Sequence, residues 1–360
     1  MRKTKSPYLS IVGWGMFLAG ALTLGSCTNE DIPGKDEQGP AIEFGEVKTR
    51  AEVSEASQVK EFCVFAEQNY LNEDGSESTD FISLLDNERV YRTGTNMDGE
   101  FTYDNTRYWV NERTFRFFAV YPFIANTDNS QNVKPTVTTT LKQGEYEYKG
   151  YQIPFVTPEN ADFDIMTAKD VVLIPDNPTN YPTVDFQFVH ALSKINIKVA
   201  KNKENSENKV VLKKITLSHV YAEGTYNVSH NENYNNYWEI TNKTNTLTFE
   251  RIFVSDTEEG LELTTSGNET INGLMLIPYN HQAQVVIEYE YFVSDNETDG
   301  EEGSGEGLTK RATATLPGDW VAGQQYTYNI ELQAEDNKIR FKASIKNPWS
   351  KQTGATILIQ

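Results

Sequence analysis

The sequence predicts an all-β protein whose strands form two tandem β-sandwich domains. Short runs rich in Val, Ile, Tyr, Phe and Thr recur along the chain, and these side chains suit a pleated, half-buried surface. Turn-forming Asn, Asp, Gly and Pro residues separate the runs, and no segment keeps an apolar period of about 3.6 residues over three helical turns. The predicted strands lie at 62–66, 114–121, 184–189, 194–199, 211–220, 285–292, 325–332 and 339–345.

The composition excludes several classes of protein. The 360 residues include 19 Tyr, 18 Phe and 5 Trp, an aromatic content that excludes a disordered chain. The 32 basic and 52 acidic residues give a net charge of −20, which excludes nucleic acid as an electrostatic partner. With two cysteines, the chain has neither a disulfide framework nor a zinc site of the CxxC…CxxC kind, and no cofactor is predicted.

A lipoprotein signal peptide is predicted at residues 1–26. A basic start precedes an apolar run at 11–24, which is too short to span a bilayer. The run ends in LGSC, which resembles a bacterial lipobox and implies that Cys27 carries acyl chains such as palmitate. Loss of residues 1–26 removes three positive charges, so the remaining chain carries −20 − 3 = −23. The alternative is an ordinary secretory signal with a chance cysteine.

The chain after the signal divides into a tether and two domains. Residues 27–40 are polar and contain two Pro and two Gly, which predicts a flexible tether. The acidic segment at 28–31 resembles the surface-export tag of Bacteroidota lipoproteins. A Tyr-Pro turn signal then separates a predicted N-terminal domain, 41–182, from a C-terminal domain, 183–360.

Four sequence blocks carry a resemblance to a known family. They are TRYWVNERTFRFFAVYP at 106–122, FDIMTA at 163–168, VDFQFVHALSKINIKV at 184–199 and PGDWVAGQQYTYNIEL at 317–332. In this order and spacing, behind a lipobox, they resemble the fimbrillin family of Bacteroidota over nearly the whole chain. The resemblance implies that the two β-sandwiches are transthyretin-like.

The same resemblance implies a function. Fimbrillins are lipoprotein subunits of surface pili and their accessory proteins, so we expect a non-enzymatic structural subunit or an accessory or tip adhesin. The expected partners are other pilus subunits, a host or bacterial surface receptor, and the outer membrane, in which a lipid anchor holds the protein at the cell surface as part of a fimbria. A surface glycan-binding lipoprotein is the alternative, because it shares the signal, the tether and the β-sandwiches.

Residue patterns within these blocks indicate packing. The run FRFFAVY at 115–121 is apolar on most of both faces, which is typical of a central strand or of one under a loop. The runs at 184–189 and 194–199 alternate apolar and polar residues, as half-buried strands do. The apolar pattern at 81–85 is also compatible with one short helix.

Residues with reactive side chains have structural interpretations. His190 lies between two predicted strands with no second His or acid at a useful spacing, which favours a structural histidine over a ligand or a base. Cys63 lies in an apolar run, so we expect a buried and inert thiol. The sequence contains no HExxH, GxSxG or phosphate-loop motif, which leaves a hydrolase without a catalytic constellation.

An Asn-rich stretch contains the aromatic residues Tyr226, Tyr234, Tyr237 and Trp238. These rings are the candidate sugar-stacking residues of the glycan-binding alternative. Aromatic residues in β-proteins are more often part of the core or of an interface, and that interpretation is favoured here.

One segment has the spacing of a calcium loop. Asp295, Glu297, Asp299, Gly300 and Glu306 occupy positions 1, 3, 5, 6 and 12 of an EF-hand pattern. The flanking segments are predicted strands, whereas an EF-hand needs helices on both sides. A solvated acidic hairpin tip is therefore favoured over a metal site.

The N-terminal domain begins with a strand that the resemblance implies is removable. In the segment 41–50, Ile42 and Phe44 share one face, as in a short edge strand. The segment runs into Arg50-Ala51, a site for a trypsin-like protease. In fimbrillins a similarly placed Arg is cut, and departure of the first strand leaves a groove with unpaired backbone groups.

The C-terminal tail ATILIQ is the donor strand expected to fill that groove in a neighbouring subunit. Ile357 and Ile359 share one face and would fill the apolar pockets while the main chain forms hydrogen bonds. The alternative is that Arg50 ends an uncut linker and the tail is the last strand of its own domain.

Overall fold

The all-β prediction is confirmed. The computed structural model describes residues 38–49, 59–72, 74, 76–124, 136–143, 146–168, 171–177, 179–203, 208–229, 235–240, 242–255, 259–278, 283–292, 307–316, 319–334, 337–346 and 355–359. These residues form 24 strands and no α-helix. Among them there is accordingly no helix long and apolar enough to cross a membrane.

The strands follow one another along the chain with turns and loops between them. The first twelve are β1 (Gln38–Ala41), β2 (Phe44–Thr49), β3 (Glu61–Leu71), β4 (Glu77–Arg92), β5 (Phe101–Tyr103), β6 (Tyr108–Val110), β7 (Phe115–Tyr121), β8 (Thr136–Gln143), β9 (Tyr146–Val156), β10 (Met166–Ala168), β11 (Val171–Leu173) and β12 (Val184–His190). The others are β13 (Ser193–Lys201), β14 (Lys209–Tyr221), β15 (Glu223–Ser229), β16 (Tyr237–Glu239), β17 (Thr246–Ile252), β18 (Leu261–Glu262), β19 (Asn268–Leu276), β20 (Gln284–Phe292), β21 (Leu308–Thr315), β22 (Gln325–Gln333), β23 (Lys338–Lys346) and β24 (Ala355–Ile359).

The first sheet contains eight strands in the order β2-β12-β10-β7-β3-β4-β5, with β11 also paired to β7. Its edge strand β2 runs parallel to β12, whereas β12, β10, β7, β3 and β4 pair antiparallel. A small separate sheet pairs β1 with β6. The chain from β1 to β2 therefore begins outside the first sheet and then becomes its edge.

Strand β7 is central, as its sequence predicts. Phe115, Phe117 and Ala119 lie in one apolar cluster on one face of the first sheet, together with side chains of β2, β3 and β12. Phe118 and Val120 lie in a second cluster on the opposite face. Both faces of β7 are covered, which explains why the residues that point to either face are apolar.

The second sheet has the order β16-β15-β9-β8 and covers that opposite face. Its Tyr151, Tyr226 and Trp238 share a cluster with Phe118 of the first sheet, and the rings of Phe118 and Tyr151 are 5.5 Å apart. These two sheets thus pack face to face through aromatic side chains.

The other two sheets enclose the remaining apolar cluster. The third sheet has the order β19-β13-β22-β23-β24, and the fourth has the order β17-β14-β20-β21 with β18 also paired to β14. Ile195 and Ile197 of β13 meet Ile215 and Ile287 of the fourth sheet in this cluster, and all four are fully buried. The alternation predicted for 194–199 matches their burial.

The predicted boundary between residues 182 and 183 does not separate the sheets. Strand β12 follows that point, yet it pairs with β2 and β10 in the first sheet. The second sheet combines β8 and β9 with β15 and β16, which come from opposite sides of the boundary. The chain instead crosses to the third sheet at the buried residues Ala191 and Leu192. The turn signal of the Tyr-Pro pair marks the start of β12, not a change of sheet.

The short helix considered for 81–85 is wrong, because these residues lie inside β4. The register of β4 against β3 shifts twice here. Val64 pairs with Glu88, Ala66 pairs with Leu85, and Glu67 pairs with Ser83, so β4 has one extra residue at each of the two intervals. The extra residues of β4 form bulges that allow the adjacent Leu84 and Leu85 to contact the same cluster. A bulged strand therefore imitates a helical apolar pattern.

The segment with calcium-loop spacing joins two strands, as predicted. Strands β20 and β21 pair antiparallel, with Tyr291 opposite Leu308. Asp295, Glu297, Asp299 and Glu306 lie outside the described residues. Within the part of the chain that the structure describes, no group of three or more His, Cys, Asp or Glu side chains is placed to hold a metal ion.

Candidate functional site

The candidate site is the N-terminal segment 38–49, here called the plug, and the groove that holds it. The plug comprises β1 and β2, and among the described strands β2 pairs with β12 only, at the edge of the first sheet. Ile42, Phe44 and Val47 are buried, with 1%, 6% and 7% of their surfaces exposed, while Glu43 and Glu46 are exposed. The prediction that Ile42 and Phe44 share one apolar face is confirmed.

Phe44 occupies an aromatic pocket. Its ring centroid lies 5.2 Å from that of Tyr103, 6.3 Å from that of Phe117 and 6.0 Å from that of Phe186. The first two contacts are edge-to-face and the third is stacked, which are favourable arrangements of aromatic rings. The pocket walls come from β5, β7 and β12, so Phe44 joins three parts of the first sheet.

A β-bulge interrupts the plug after Phe44. Phe44 pairs with Val184, and Val47 pairs with Phe186. The chain therefore advances three residues along β2 while it advances two along β12. The Glu46 backbone N–H donates to Asp185 Oδ1 at 2.7 Å, and this bond holds the bulge. Because of the extra residue, Val47 and not Glu46 faces the core.

Glycine is required at the bulge by its surroundings. A Cβ atom on Gly45 would lie 2.6 Å from Thr183 Cγ2 and would also collide with Asp185 Oδ1. Moving the carboxylate away would break its bond to Glu46, and the branched Thr side chain is stiff. We refer to the contact of Asp185 with residues 45 and 46 as the latch.

The first strand of the plug is held from the other side. The Ile42 N–H donates to the Arg107 carbonyl at 2.8 Å, and the Tyr103 hydroxyl donates to the Ile42 carbonyl at 3.1 Å. Gly39 lies against the ring of Tyr181, where a Cβ atom would be 2.5 Å from Cζ. The plug thus contains two glycines in close contact with the segment that leads into β12.

The exposed face of the plug carries an ion pair. Lys48 Nζ lies 2.7 Å from Glu46 Oε2, and both side chains are about two-thirds exposed. The hydrogen bond and the charge of Lys48 lower the pKa of the Glu46 carboxyl, and the same contact raises the pKa of Lys48. Because water screens exposed pairs, the hold on the plug comes from its buried face.

The other predicted site residues fall into two groups. Ile357 and Ile359 lie in β24, whose backbone pairs antiparallel with β23 at the end of the third sheet. Cys27, Arg50 and Ala51 lie outside the described residues. The plug, which ends at Thr49, leads directly to the predicted cleavage position.

His190 has an acidic partner that sequence spacing did not reveal. Its Nδ1 lies 2.7 Å from Asp164 Oδ2, and the imidazole side chain is 5% exposed. Asp164 belongs to the FDIMTA block, just before β10, which pairs with β12. The favoured interpretation of His190 as a structural histidine agrees with this buried contact.

Replacement of the acid tests this role. Asp164→Ala should lower the free energy of unfolding by about 1–3 kcal/mol, because it leaves a buried ring nitrogen without its acceptor. Asp164→Asn keeps an acceptor oxygen and should cost less. Denaturant titration measures both variants, and equal stability of Asp164→Ala and the parent would contradict the structural role.

Cys63 is buried, as predicted. Its Sγ–H donates to the Val120 carbonyl at 3.1 Å, and its residue is 0% exposed. Burial raises the pKa of the thiol to about 12. The thiol therefore remains protonated at neutral pH and is neither a nucleophile nor a metal ligand in the native fold.

Thiol labelling provides the corresponding test. In the protein from residue 28 onward, Cys63 should not react with Ellman's reagent at pH 8 until denaturant unfolds the first sheet. Full labelling in denaturant is the positive control. Rapid labelling of the native protein would show that the strand around Cys63 opens readily.

The aromatic residues proposed for sugar stacking belong largely to the core. Tyr226 is 4% exposed and Trp238 is 9% exposed, and their rings lie 5.1 Å apart. The Trp238 indole N–H donates to the Ala191 carbonyl at 2.8 Å, at the crossing between sheets. Tyr237 is half-buried, and Tyr234 lies outside the described residues. Tyr226 and Trp238 therefore offer no open ring face to a glycan.

Several known proteins resemble this chain in sequence or in structure. A family model described as Fimbrillin-like matches residues 49–349. A fimbrial protein from Bacteroides vulgatus has a similar structure, with a TM-score of 0.59 and 20% identity over 85% of this chain and 98% of that chain. No match was found among curated proteins.

Two further solved structures are more distantly similar. A proposed cell adhesion protein from Bacteroides uniformis gives a TM-score of 0.44 and 17% identity, over 88% of this chain and 100% of that chain. A fimbrial assembly protein from Parabacteroides distasonis gives a TM-score of 0.34 and 11% identity, over 88% and 99% of the two chains.

Proposed function

Because the chain belongs to the fimbrillin-like family, we propose that it is a surface-anchored lipoprotein and a non-enzymatic structural subunit or accessory or tip adhesin of a pilus. Its partners are other pilus subunits and a receptor on a host or bacterial surface. The observation that carries the proposal is the plug, an edge segment with a buried apolar face that ends immediately before Arg50.

Assembly proceeds by protease-triggered strand exchange. Cleavage after Arg50 removes the covalent link between the plug and β3, so the plug is then held by non-covalent contacts alone. Loss of the plug uncovers one edge of β12 and the aromatic pocket of Phe44. An open edge with exposed apolar side chains is unstable in water and favours pairing with another strand.

The donor is the tail of a neighbouring copy. Within the described part of the chain, strand β24 lies at the end of the third sheet beside β23, so its departure breaks no pairing in the interior of that sheet. Inserted beside β12, the tail would form main-chain hydrogen bonds and place alternate side chains in the pockets. A contact between the groove of one copy and the tail of the next is head-to-tail and does not close, so it builds a filament.

The lipid anchor at Cys27 holds the uncut protein at the outer membrane, because Cys27 lies on the N-terminal side of Arg50. Cys27→Ala should abolish labelling by a clickable fatty acid, because no other side chain of the signal supplies a thiol. Two acyl chains bury many CH₂ groups at about 0.8 kcal/mol each, so the variant should also leave the membrane fraction. Persistent labelling of Cys27→Ala would contradict the lipoprotein assignment.

Electron microscopy tests the pilus role directly. Antibody against the folded body should decorate surface filaments on cells that carry the gene, and both the label and the decorated filaments should be lost from cells without it. Protease shaving of intact cells should remove the label. Unchanged filaments in the absence of the gene, combined with label spread over the bare cell surface, would contradict a pilus role.

A further inference from the structure

We propose that the tail of a second copy enters the groove in one register, in which each residue of 354–359 replaces the plug residue 315 positions earlier (354 − 39 = 315). This inference rests on the proposed strand exchange and specifies its geometry. It follows from two contacts of the plug, at Gly39 and at Phe44, and from the spacing of the same residue types in the tail.

The contact at position 39 leaves room for a glycine but not for a larger residue. Gly39 lies against the Tyr181 ring so closely that a Cβ atom would be 2.5 Å from Cζ. Five residues later, Phe44 fills the aromatic pocket. An occupant of the whole groove therefore needs a glycine, then an apolar residue at the third position after it, and a large apolar residue at the fifth.

The tail has this spacing. The plug reads GPAIEF at 39–44, and the tail reads GATILI at 354–359. In the proposed register Ile357 takes the site of Ile42, and Ile359 takes the site of Phe44. Both are apolar, and isoleucine is the smaller occupant of the aromatic pocket.

A third segment with similar spacing is not free to act as a donor. Residues 150–155 read GYQIPF, but they lie in the interior of β9. That strand pairs with β8 on one side and β15 on the other. The tail strand β24, in contrast, is the last strand of its sheet among the strands that the structure describes.

Disulfide trapping tests the register. The acceptor is the protein from residue 28 with Val184→Cys and without residues 355–360, cut after Arg50. The donor carries Arg50→Ala, which keeps its own plug, and Ile359→Cys. Val184 is the pairing partner of Phe44, so the thiol introduced at position 359 of the donor should form a disulfide with the thiol introduced at position 184 of the acceptor.

A donor with Ile357→Cys is the matched control. It has the same side chain two residues earlier, and a shift of two residues moves the Cα atom by roughly 6.6 Å along the strand. The resulting separation from residue 184 is about 8 Å, beyond the reach of a disulfide. The control donor should form a complex on size-exclusion chromatography without cross-linking at residue 184.

Three further variants test the individual contacts. Gly354→Ala in the donor should weaken binding, and Tyr181→Ala in the acceptor should restore it by making room for the added methyl group. Asp185→Ala in the cut protein should speed the loss of the plug peptide, because it removes the acceptor of the Glu46 N–H.

The outcomes separate the register from the exchange itself. Cross-linking through residue 359 but not through residue 357 supports the proposed register. Complex formation with preferential cross-linking through residue 357 overturns the register and leaves strand exchange standing. Absence of any complex with either donor overturns both the register and the proposed function.

Discussion

Cleavage after Arg50 is expected to convert the monomeric protein from residue 28 into chains of subunits that each contain 360 − 50 = 310 residues. The cut frees the plug, and its loss leaves β12 with an unpaired edge and an open aromatic pocket. Tails of neighbouring copies should then fill the grooves in a head-to-tail series. Arg50→Ala should stay monomeric in the presence of the same Arg-specific protease.

Lys48→Ala is the matched control for this result. It removes an exposed basic residue close to the cut but leaves Arg50 and the buried face of the plug intact. It should be cleaved and should assemble like the parent protein, as followed by light scattering and gel electrophoresis. Assembly of Arg50→Ala to the same extent would show that cleavage at Arg50 does not trigger polymerisation.

Phe44→Ala is expected to weaken the hold on the plug by about 3–5 kcal/mol, the usual cost of removing a buried Phe side chain. The substitution empties a pocket lined by Tyr103, Phe117 and Phe186. After cleavage the plug is a separate peptide, so this loss should raise its dissociation constant by at least about two orders of magnitude. Fluorescence of a labelled plug peptide measures the change.

The exposed neighbour Glu43 provides the control on the same segment. Glu43→Ala leaves the buried face intact, and its effect should stay within about 0.5 kcal/mol. The backbone bond from the Val184 N–H to the Glu43 carbonyl, 2.9 Å long, is retained in that variant. Similar dissociation constants for the two variants would mean that the aromatic pocket does not hold the plug.

The alternation of apolar and polar residues predicted those features of the plug that depend on residues adjacent in sequence. Alternation alone placed Ile42 and Phe44 on one buried face. The position of Val47 on that same face could not be predicted from alternation, because it depends on a bulge held by Asp185, which is 139 residues away from Glu46. Gly45 was the available signal, since an isolated glycine in a strand often marks a bulge.

Long-range pairing accounts for the other differences. Asp164 and His190 are 26 residues apart and meet because β10 and β12 are adjacent in the first sheet. The same pairing keeps β12 in that sheet, although a turn signal precedes it. Spacing along the chain does not reveal which strands become neighbours, so neither the acidic partner nor the crossing at Ala191 could be inferred from sequence.

Deletion of residues 355–360 tests whether the tail is the donor strand. After cleavage at Arg50, light scattering should find the deletion variant monomeric, because its groove is open but it has no tail to donate. Added to cleaved parent protein, it should shorten the chains by ending them, which verifies that its groove is intact. If the cleaved deletion variant instead assembles as well as the parent, the tail is not the donor and the proposed mechanism is wrong.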